Sequence, residues 1–219
     1  MNIIINEDKR FNNYMKNTKL LLTSAGFLNK EISNLFLKEL SKEPNKSKVF
    51  MVTGARTKEE EYYIQESKQE LINLGFKDIF VFNLDRKILL DEVKDCDVIY
   101  VCGGNTYYIL KRFRETGLDK IVIELVNQGK IYIGVSAGSV MAGPNIEIAG
   151  WGEDGDKNDV NLKDLTGFNF TNIAVFSHFE EKNRQEVKEF KKKVNYPVIE
   201  LTDNQAVFVK GKNYIIIGE

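Results

Sequence analysis

A serine flanked by two glycines occurs in the pentapeptide GVSAG at positions 134–138. The pentapeptide directly follows a strand-like run, 130–133, and precedes a segment that can turn helical. This order is typical of a nucleophile elbow, in which a tight turn presents the serine hydroxyl above the sheet, and glycines leave room for such a turn. The pattern predicts covalent acyl transfer at Ser136. The same residues also suit a simple strand-to-helix turn, so the rest of the chain must decide.

A serine hydroxyl is a weak nucleophile at neutral pH and needs an adjacent base. The sequence contains one histidine, His178, which lies just beyond the strand-like run 173–176. If that strand is parallel to its neighbours, His178 emerges at the same carboxyl edge of the sheet as Ser136, which is where open α/β sheets bind ligands. A histidine at a strand end is often only a surface residue, but the elbow requires a base and the chain offers one candidate.

The base in turn needs a carboxylate that orients it. Asp203 follows the strand-like run 197–201 and should therefore lie near a strand end. Glu153, Asp154 and Asp156 lie in the polar stretch after the elbow and are alternatives. Each of these acids could equally be an ordinary solvated charge, so the residues alone leave the orienting acid open.

A second glycine motif, CGGNT at 102–106, ends one strand-like run and opens a helical one. It lacks the spacings of the common phosphate-binding glycine motifs. Acyl transfer requires two convergent backbone N–H groups that hold the oxyanion. We expect these donors to be the amides of Gly104 and Ala137, with Gly103 and Asn105 lining the substrate site beside them.

Strand-like and helix-like runs alternate through the first two thirds of the chain, which indicates a parallel sheet covered by helices on both faces. The predicted strands are 19–23, 48–53, 78–82, 97–101 and 130–133. The predicted helices are 30–40, 57–74, 86–94, 106–113 and 118–127. Thr57 and Glu60 have the spacing of a capping box at the start of the second helix.

The last third differs in character. Residues 150–167 are polar and predict a long loop, and they are followed by the strand 173–176 and a charged helix, 182–194. The runs 197–201, 206–209 and 214–217 predict closely spaced antiparallel strands at a sheet edge. The whole chain, 1–219, reads as a single α/β domain with residues 1–18 as a candidate peripheral segment.

The 219 residues carry a formal net charge of −1, which gives no general attraction to nucleic acid or to an anionic membrane. The apolar runs are too short to span a bilayer, and the first residues lack a signal-peptide pattern. We therefore expect a cytoplasmic protein. Cys96 and Cys102 have no nearby histidine and make a poor zinc site. Both read as core residues, although Cys102 ends a strand and could line a site.

Four segments occur together in a characteristic order, and with them the chain resembles the peptidase E and cyanophycinase family of serine peptidases from about Leu20 to its end. The segments are IYVCGGNTYYILK at 99–111, YIGVSAG at 132–138, SHF at 177–179 and TDNQA at 202–206. The pair formed by the GGN-T and G-x-SAG motifs is far more specific than either motif alone.

The resemblance implies a class I glutamine-amidotransferase-like α/β fold without a cofactor or metal. It implies Ser136 as nucleophile, His178 as base, and the amides of Gly104 and Ala137 as oxyanion donors. The orienting acid of the family is usually Glu, whereas the matching position here is Asp203. A shorter acid would need a shifted backbone or a bridging water to reach the imidazole.

Members like peptidase E cleave dipeptides and short peptides after an N-terminal Asp, and an Arg after the histidine is implicated in holding the acidic side chain. The matching residue is Arg184, whose guanidinium suits two-pronged binding of a carboxylate, although it could equally be an exposed helix residue. Cyanophycinase-like hydrolysis of β-Asp-Arg and a catalytically silent binding protein on the same fold are the alternatives. The expected partner is a short peptide, and the oligomeric state, monomer or homodimer, stays open.

Overall fold

The computed structural model of the protein describes residues 4–5 and 18–218. The strands are β1 (Ile4–Ile5), β2 (Lys19–Thr23), β3 (Lys48–Val52), β4 (Asp78–Phe82), β5 (Val98–Val101), β6 (Ile131–Val135), β7 (Ala174–Phe176), β8 (Val198–Glu200), β9 (Ala206–Lys210) and β10 (Asn213–Ile217). The helices are α1 (Lys30–Glu39), α2 (Lys58–Asn73), α3 (Leu90–Val93), α4 (Thr106–Thr116), α5 (Leu118–Asn127), α6 (Ala137–Met141) and α7 (Arg184–Lys191).

The described strands form an eight-stranded main sheet in the order β1-β10-β9-β2-β6-β5-β3-β4 and a two-stranded sheet of β7 and β8. The five strands from β2 to β4 in this order are parallel. Strands β9, β10 and β1 continue the sheet beyond β2 in antiparallel pairing. The prediction of a mostly parallel sheet with antiparallel strands toward the C-terminus is confirmed.

Helices cover both faces of the main sheet, because its strands are apolar on both sides. In β2, Leu20 and Leu22 face one core and Leu21 faces the other, and all three side chains are fully buried. Helices α4 and α5 pack into the first core and helices α1 and α2 into the second. The continuous burial of strand residues follows from this two-sided cover.

The predicted capping box at the start of α2 is present. The Thr57 side chain accepts from the Glu60 amide at 3.1 Å, and the Glu60 carboxylate accepts from the Thr57 amide at 3.2 Å. The helix ends before Gly75, which has a φ of 98°, a conformation that glycine adopts without strain.

Several boundaries differ from the sequence prediction. The predicted helix 86–94 contracts to α3, because the Glu92 side chain binds the Leu89 amide at 2.8 Å and fixes the first helical turn there. The predicted helix 182–194 contracts to α7, preceded by the 3₁₀ turn Glu181–Asn183. Strand β6 extends two residues beyond the predicted end at 133, so that it runs up to Ser136 itself.

The prediction that the last three strands lie at a sheet edge is wrong in two respects. Strand β8 leaves the main sheet and pairs in parallel with β7. Strand β9 is internal, between β2 and β10. Its residues Val207 and Val209 enter one core while Ala206 and Phe208 enter the other, and a strand that is apolar on both sides is stable only where both sides are covered.

The candidate peripheral segment 1–18 falls mostly outside the described residues. Within it, Ile4–Ile5 pairs with Asn213 and Tyr214 of β10 and extends the main sheet. The division of the chain into domains stays a prediction.

Candidate active site

The elbow is a single residue long. Strand β6 ends at Val135 and helix α6 begins at Ala137, so Ser136 alone makes the turn, with φ of 48° and ψ of −108°. This backbone conformation is costly for a residue with a Cβ and marks functional sites. A Cβ on Gly134 would lie 2.5 Å from the Gly138 carbonyl carbon. Glycine is therefore required because α6 crosses directly over the end of β6.

Ser136, His178 and Asp203, which we call the relay, meet at the carboxyl edge of the strands. The Nε2 atom of His178 lies 3.0 Å from the hydroxyl oxygen of Ser136. The Nδ1 atom of the same ring lies 2.7 Å from Oδ1 of Asp203. An imidazole protonated on Nδ1 donates to the carboxylate and leaves Nε2 free to accept the serine proton. This is the geometry in which a serine, a histidine and an acid perform acyl transfer.

The small sheet brings the histidine and the acid together. His178 follows β7 and Asp203 follows β8, and because these strands are parallel their ends lie side by side. Backbone hydrogen bonds of 2.9 Å run from Leu201 to Phe176 and from Phe179 to Leu201 and join the two exits. His178 itself has φ of 56°, in the left-handed region that non-glycine residues seldom adopt.

Asp203 reaches the imidazole directly, so the expected bridging water is not required for contact. The turn Thr202–Gln205, closed by a 3.0 Å hydrogen bond from the Gln205 amide to the Thr202 carbonyl, carries Asp203 toward the ring. The buried Ser24 hydroxyl donates to Oδ1 of Asp203 at 2.8 Å. Sequence reasoning missed Ser24, whose one signal was its place directly after the predicted strand 19–23.

The three alternative acids have other surroundings. Glu153 is exposed. Asp154 pairs with Lys182 at 3.0 Å. Asp156 accepts from the Thr106 amide at 2.7 Å, and its burial raises the pKa of its carboxyl. The place beside the imidazole is taken by Asp203.

The two predicted oxyanion donors flank the serine. Gly104 and Ala137 line the same cavity as Ser136 and His178. Gly104 has φ of 130°, which only glycine adopts without strain, and Ala137 follows the serine at the start of α6. Both residues therefore border the cavity that Ser136 and His178 line.

The cavity has a volume of about 330 Å³, the size of a small-ligand site. Val140, Ile148, Trp151 and Phe176 provide its apolar wall. Its charged lining residues are Asp154, Asp156, Glu180 and Lys182. Lys182 is the one cation among the described residues of the lining, and it pairs with Asp154 and with Glu180, the latter at 3.2 Å.

Three predicted substrate-binding residues lie outside the described lining of this cavity. Arg184 is exposed, makes a two-pronged contact with Glu181 and lies 5.5 Å from the centre of the Phe179 ring. Asn105 accepts from the Tyr108 amide at 2.9 Å, and it donates to the carbonyl of residue 157 at 3.0 Å. It therefore caps α4 and fastens the long loop. Gly103 packs behind the serine: a Cβ there would lie 3.4 Å from that of Ser136.

Ser177 is a further cavity residue that sequence reasoning did not single out. Its hydroxyl is buried without a hydrogen-bond partner among the described residues. Leaving a buried hydroxyl unpaired is costly. Cys102, considered as a lining residue, is buried in the core on the other side of the sheet. Within residues 4–5 and 18–218 no group of three or more His, Cys, Asp or Glu side chains is arranged to hold a metal ion.

The sequence matches the family model of peptidase family S51 over residues 20–217. The chain belongs to this family. An uncharacterized peptidase of Listeria monocytogenes is 31% identical over 209 residues, which cover 92% of this chain and 98% of the relative. A peptidase E of Salmonella arizonae is 28% identical over 156 residues, covering 66% of this chain and 64% of the relative. As a member of family S51 the protein is a serine-type peptidase.

Two solved structures share the fold of this chain. A crystal structure of a Listeria monocytogenes EGD-e protein, named for peptidase E, superposes with a TM-score of 0.77 at 28% identity, covering 92% of this chain and 98% of the other. A peptidase from an acI-B1 Actinobacterium shares the fold with a TM-score of 0.64 at 19% identity, covering 96% of this chain and 91% of the other. Among residues 4–5 and 18–218, no helix has the length and apolarity needed to cross a membrane.

Proposed function

We propose that the protein hydrolyses short peptides with Ser136 as nucleophile, His178 as general base and acid, and Asp203 as the group that orients His178. The observation that carries this proposal is the unbroken contact from Oγ of Ser136 through the imidazole to Oδ1 of Asp203, with distances of 3.0 and 2.7 Å. This relay opens into the cavity of about 330 Å³.

In this mechanism Oγ of Ser136 attacks the carbonyl carbon of the scissile peptide bond and passes its proton to Nε2 of His178. The carbonyl oxygen becomes an oxyanion, which the amides of Gly104 and Ala137 stabilise. His178 then gives the proton to the leaving amine as the C–N bond breaks. A water, activated by the same imidazole, hydrolyses the acyl-enzyme and restores Ser136.

The finer part of the proposal is a preference for peptides with an N-terminal Asp, as the resemblance to peptidase E implies. The cavity supports short substrates through its size, and Lys182 is the described lining residue that can pair with a substrate carboxylate. Arg184 is less suited to this role, because it lies outside the described lining of the cavity. Breaking the bonds from Lys182 to Asp154 and Glu180 would accompany substrate binding.

A panel of Asp-X, Glu-X, Ala-X and Lys-X dipeptides together with β-Asp-Arg, followed by mass spectrometry, tests both parts. We expect Asp-X to have the largest kcat/KM and the Ser136→Ala variant, purified in parallel, to be inactive on every peptide. Equal hydrolysis by Ser136→Ala would overturn the mechanism. Preferred cleavage of β-Asp-Arg or of Lys-X would leave the mechanism in place and overturn the Asp preference.

A further inference from the structure

A single buried hydroxyl connects the base and the acid of the proposed relay. Ser24 lies directly after β2 and is fully buried. Its hydroxyl donates to Oδ1 of Asp203 at 2.8 Å and accepts from the backbone amide of His178 at 2.7 Å. A serine hydroxyl has one hydrogen to donate and can accept, so both contacts form at the same time.

The side chains of both residues that Ser24 contacts lie largely outside the packed core. The side chains of His178 and Asp203 are 54% and 52% exposed, so the surrounding core does not select their rotamers. His178 also has a φ of 56°, which costs a non-glycine residue free energy and persists only where neighbouring groups hold it. The contact with Ser24 is a backbone hydrogen bond at that strained residue.

The attachment of Ser24 to the rest of the fold is firm. Its own amide donates to the carbonyl of Gln205, directly before β9, and β2 is internal in the main sheet. The Ser24 hydroxyl therefore fixes the loops that follow β7 and β8 to the main sheet. Ser136 follows β6, which is the parallel neighbour of β2 in that sheet.

We propose that Ser24 is a positioning residue of the peptidase, which holds the turn at His178 and the carboxylate of Asp203 in line with Ser136. This inference rests on the proposed function. Asp203 is a short acid on an exposed turn, and the donor at 2.8 Å keeps its Oδ1 atom directed at the imidazole instead of at solvent. The Ser24 hydroxyl oxygen lies 3.4 Å from Nδ1 of His178 and makes no hydrogen bond with Ser136 in the described part of the chain, so it acts through the base and not on the substrate.

The first test is the kinetics of Ser24→Ala, which removes only the hydroxyl. We expect kcat to fall about tenfold, as lost orientation does, with KM changed less than about twofold, because the cavity lining is intact. Ser47→Ala is the matched control, because Ser47 is also buried and its hydroxyl donates to the Glu43 carbonyl at 3.1 Å. Ser47 directly precedes β3 and so lies at the amino ends of the parallel strands, away from the site. Ser47→Ala should keep wild-type kcat. Unchanged kcat in Ser24→Ala would overturn the proposal.

A double-mutant cycle separates positioning from a general structural effect. In the His178→Ala background, Ser24→Ala should lower the residual rate less than about twofold, because the group that Ser24 positions is gone. A full tenfold loss in that background would overturn the proposal. If Ser24→Ala does not fold, Ser24→Cys, with similar shape and a weak donor, carries the same cycle. If the proposed function is wrong, Ser136→Ala keeps its activity. If only the role of Ser24 is wrong, Ser136→Ala is inactive and Ser24→Ala keeps wild-type kcat.

Discussion

The proposed relay depends on Asp203, and not a loop acid, as the residue that orients His178. We expect Asp203→Asn to lower kcat/KM by roughly 10³- to 10⁴-fold, because an amide stabilises the wrong imidazole tautomer. Glu153→Gln, which removes a charge from an exposed loop residue outside the cavity lining, is the control and should leave kcat/KM unchanged. Steady-state assays of both variants decide. The opposite order of effects would move the orienting acid to the loop after α6.

Lys182 and Arg184 form a natural pair for testing acid selectivity, because they are two residues apart and only Lys182 lines the described cavity. Lys182→Met should lower kcat/KM for Asp-X about tenfold or more, since a charge-assisted hydrogen bond is lost. It should change Ala-X little. Arg184→Met should leave the ratio of kcat/KM for Asp-X to kcat/KM for Ala-X unchanged. If Arg184→Met lowers kcat/KM for Asp-X relative to Ala-X and Lys182→Met does not, then Arg184 and not Lys182 pairs with the substrate carboxylate.

Side-chain type and spacing predicted Ser136 and His178 but left the orienting acid open between Asp203 and the loop acids, and the family resemblance pointed to Asp203. Type and spacing could not identify Ser24, since a lone serine after a strand has no pattern of its own. They also could not distinguish Lys182 from Arg184. Which cation faces the cavity depends on where the 3₁₀ turn Glu181–Asn183 passes into α7, and that boundary is set by packing.

At the scale of elements, local patterns predicted which segments are strands but not which strands pair. Strands β8 and β9 read alike in the sequence, yet β8 pairs with β7 and β9 enters the main sheet. Partner choice depends on which faces the rest of the chain covers. The site needs this division, because β7 and β8 must leave the main sheet to bring His178 and Asp203 over the elbow.

The junction of β6 and α6 gives a stability prediction. Gly134→Ala should lower the free energy of unfolding by about 3 kcal/mol or more, because its Cβ would lie 2.5 Å from backbone atoms of Gly138 and Ser139. Gly103→Ala is the control for folding, since its Cβ would make an ordinary contact of 3.4 Å. Urea unfolding of the two variants measures the difference. Equal stabilities would mean that α6 does not cross β6 this closely.

For the molecule as a whole, both cysteines lie in cores on either side of the main sheet. Burial raises the pKa of the Cys96 thiol to about 11 and raises the pKa of Cys102 further. Because the thiolate is the reactive form, the native protein should react with neither Ellman's reagent nor N-ethylmaleimide at pH 8 and should keep its activity. Two thiols should react after unfolding in guanidinium. Rapid native reaction with loss of activity would show an accessible thiol at the site.

The family match over residues 20–217 and the parallel sheet were both foreseeable from motif order and alternation. The sequence placed the relay residues near one sheet edge but could not give their contacts, because such contacts join residues more than 40 positions apart, such as Ser136 and His178. Long-range contacts of this kind leave no local signal in a single sequence. They are what the structure adds to the motif.

The central claim is that Ser136 is a nucleophile activated by His178. Incubation with a fluorophosphonate, followed by peptide mapping, tests it directly. We predict one equivalent of label on Ser136, none in Ser136→Ala, and labelling slowed at least about 10³-fold in His178→Ala, as expected for residues that act as a unit. Active protein that resists the reagent, or that carries the label on another residue, would contradict the account.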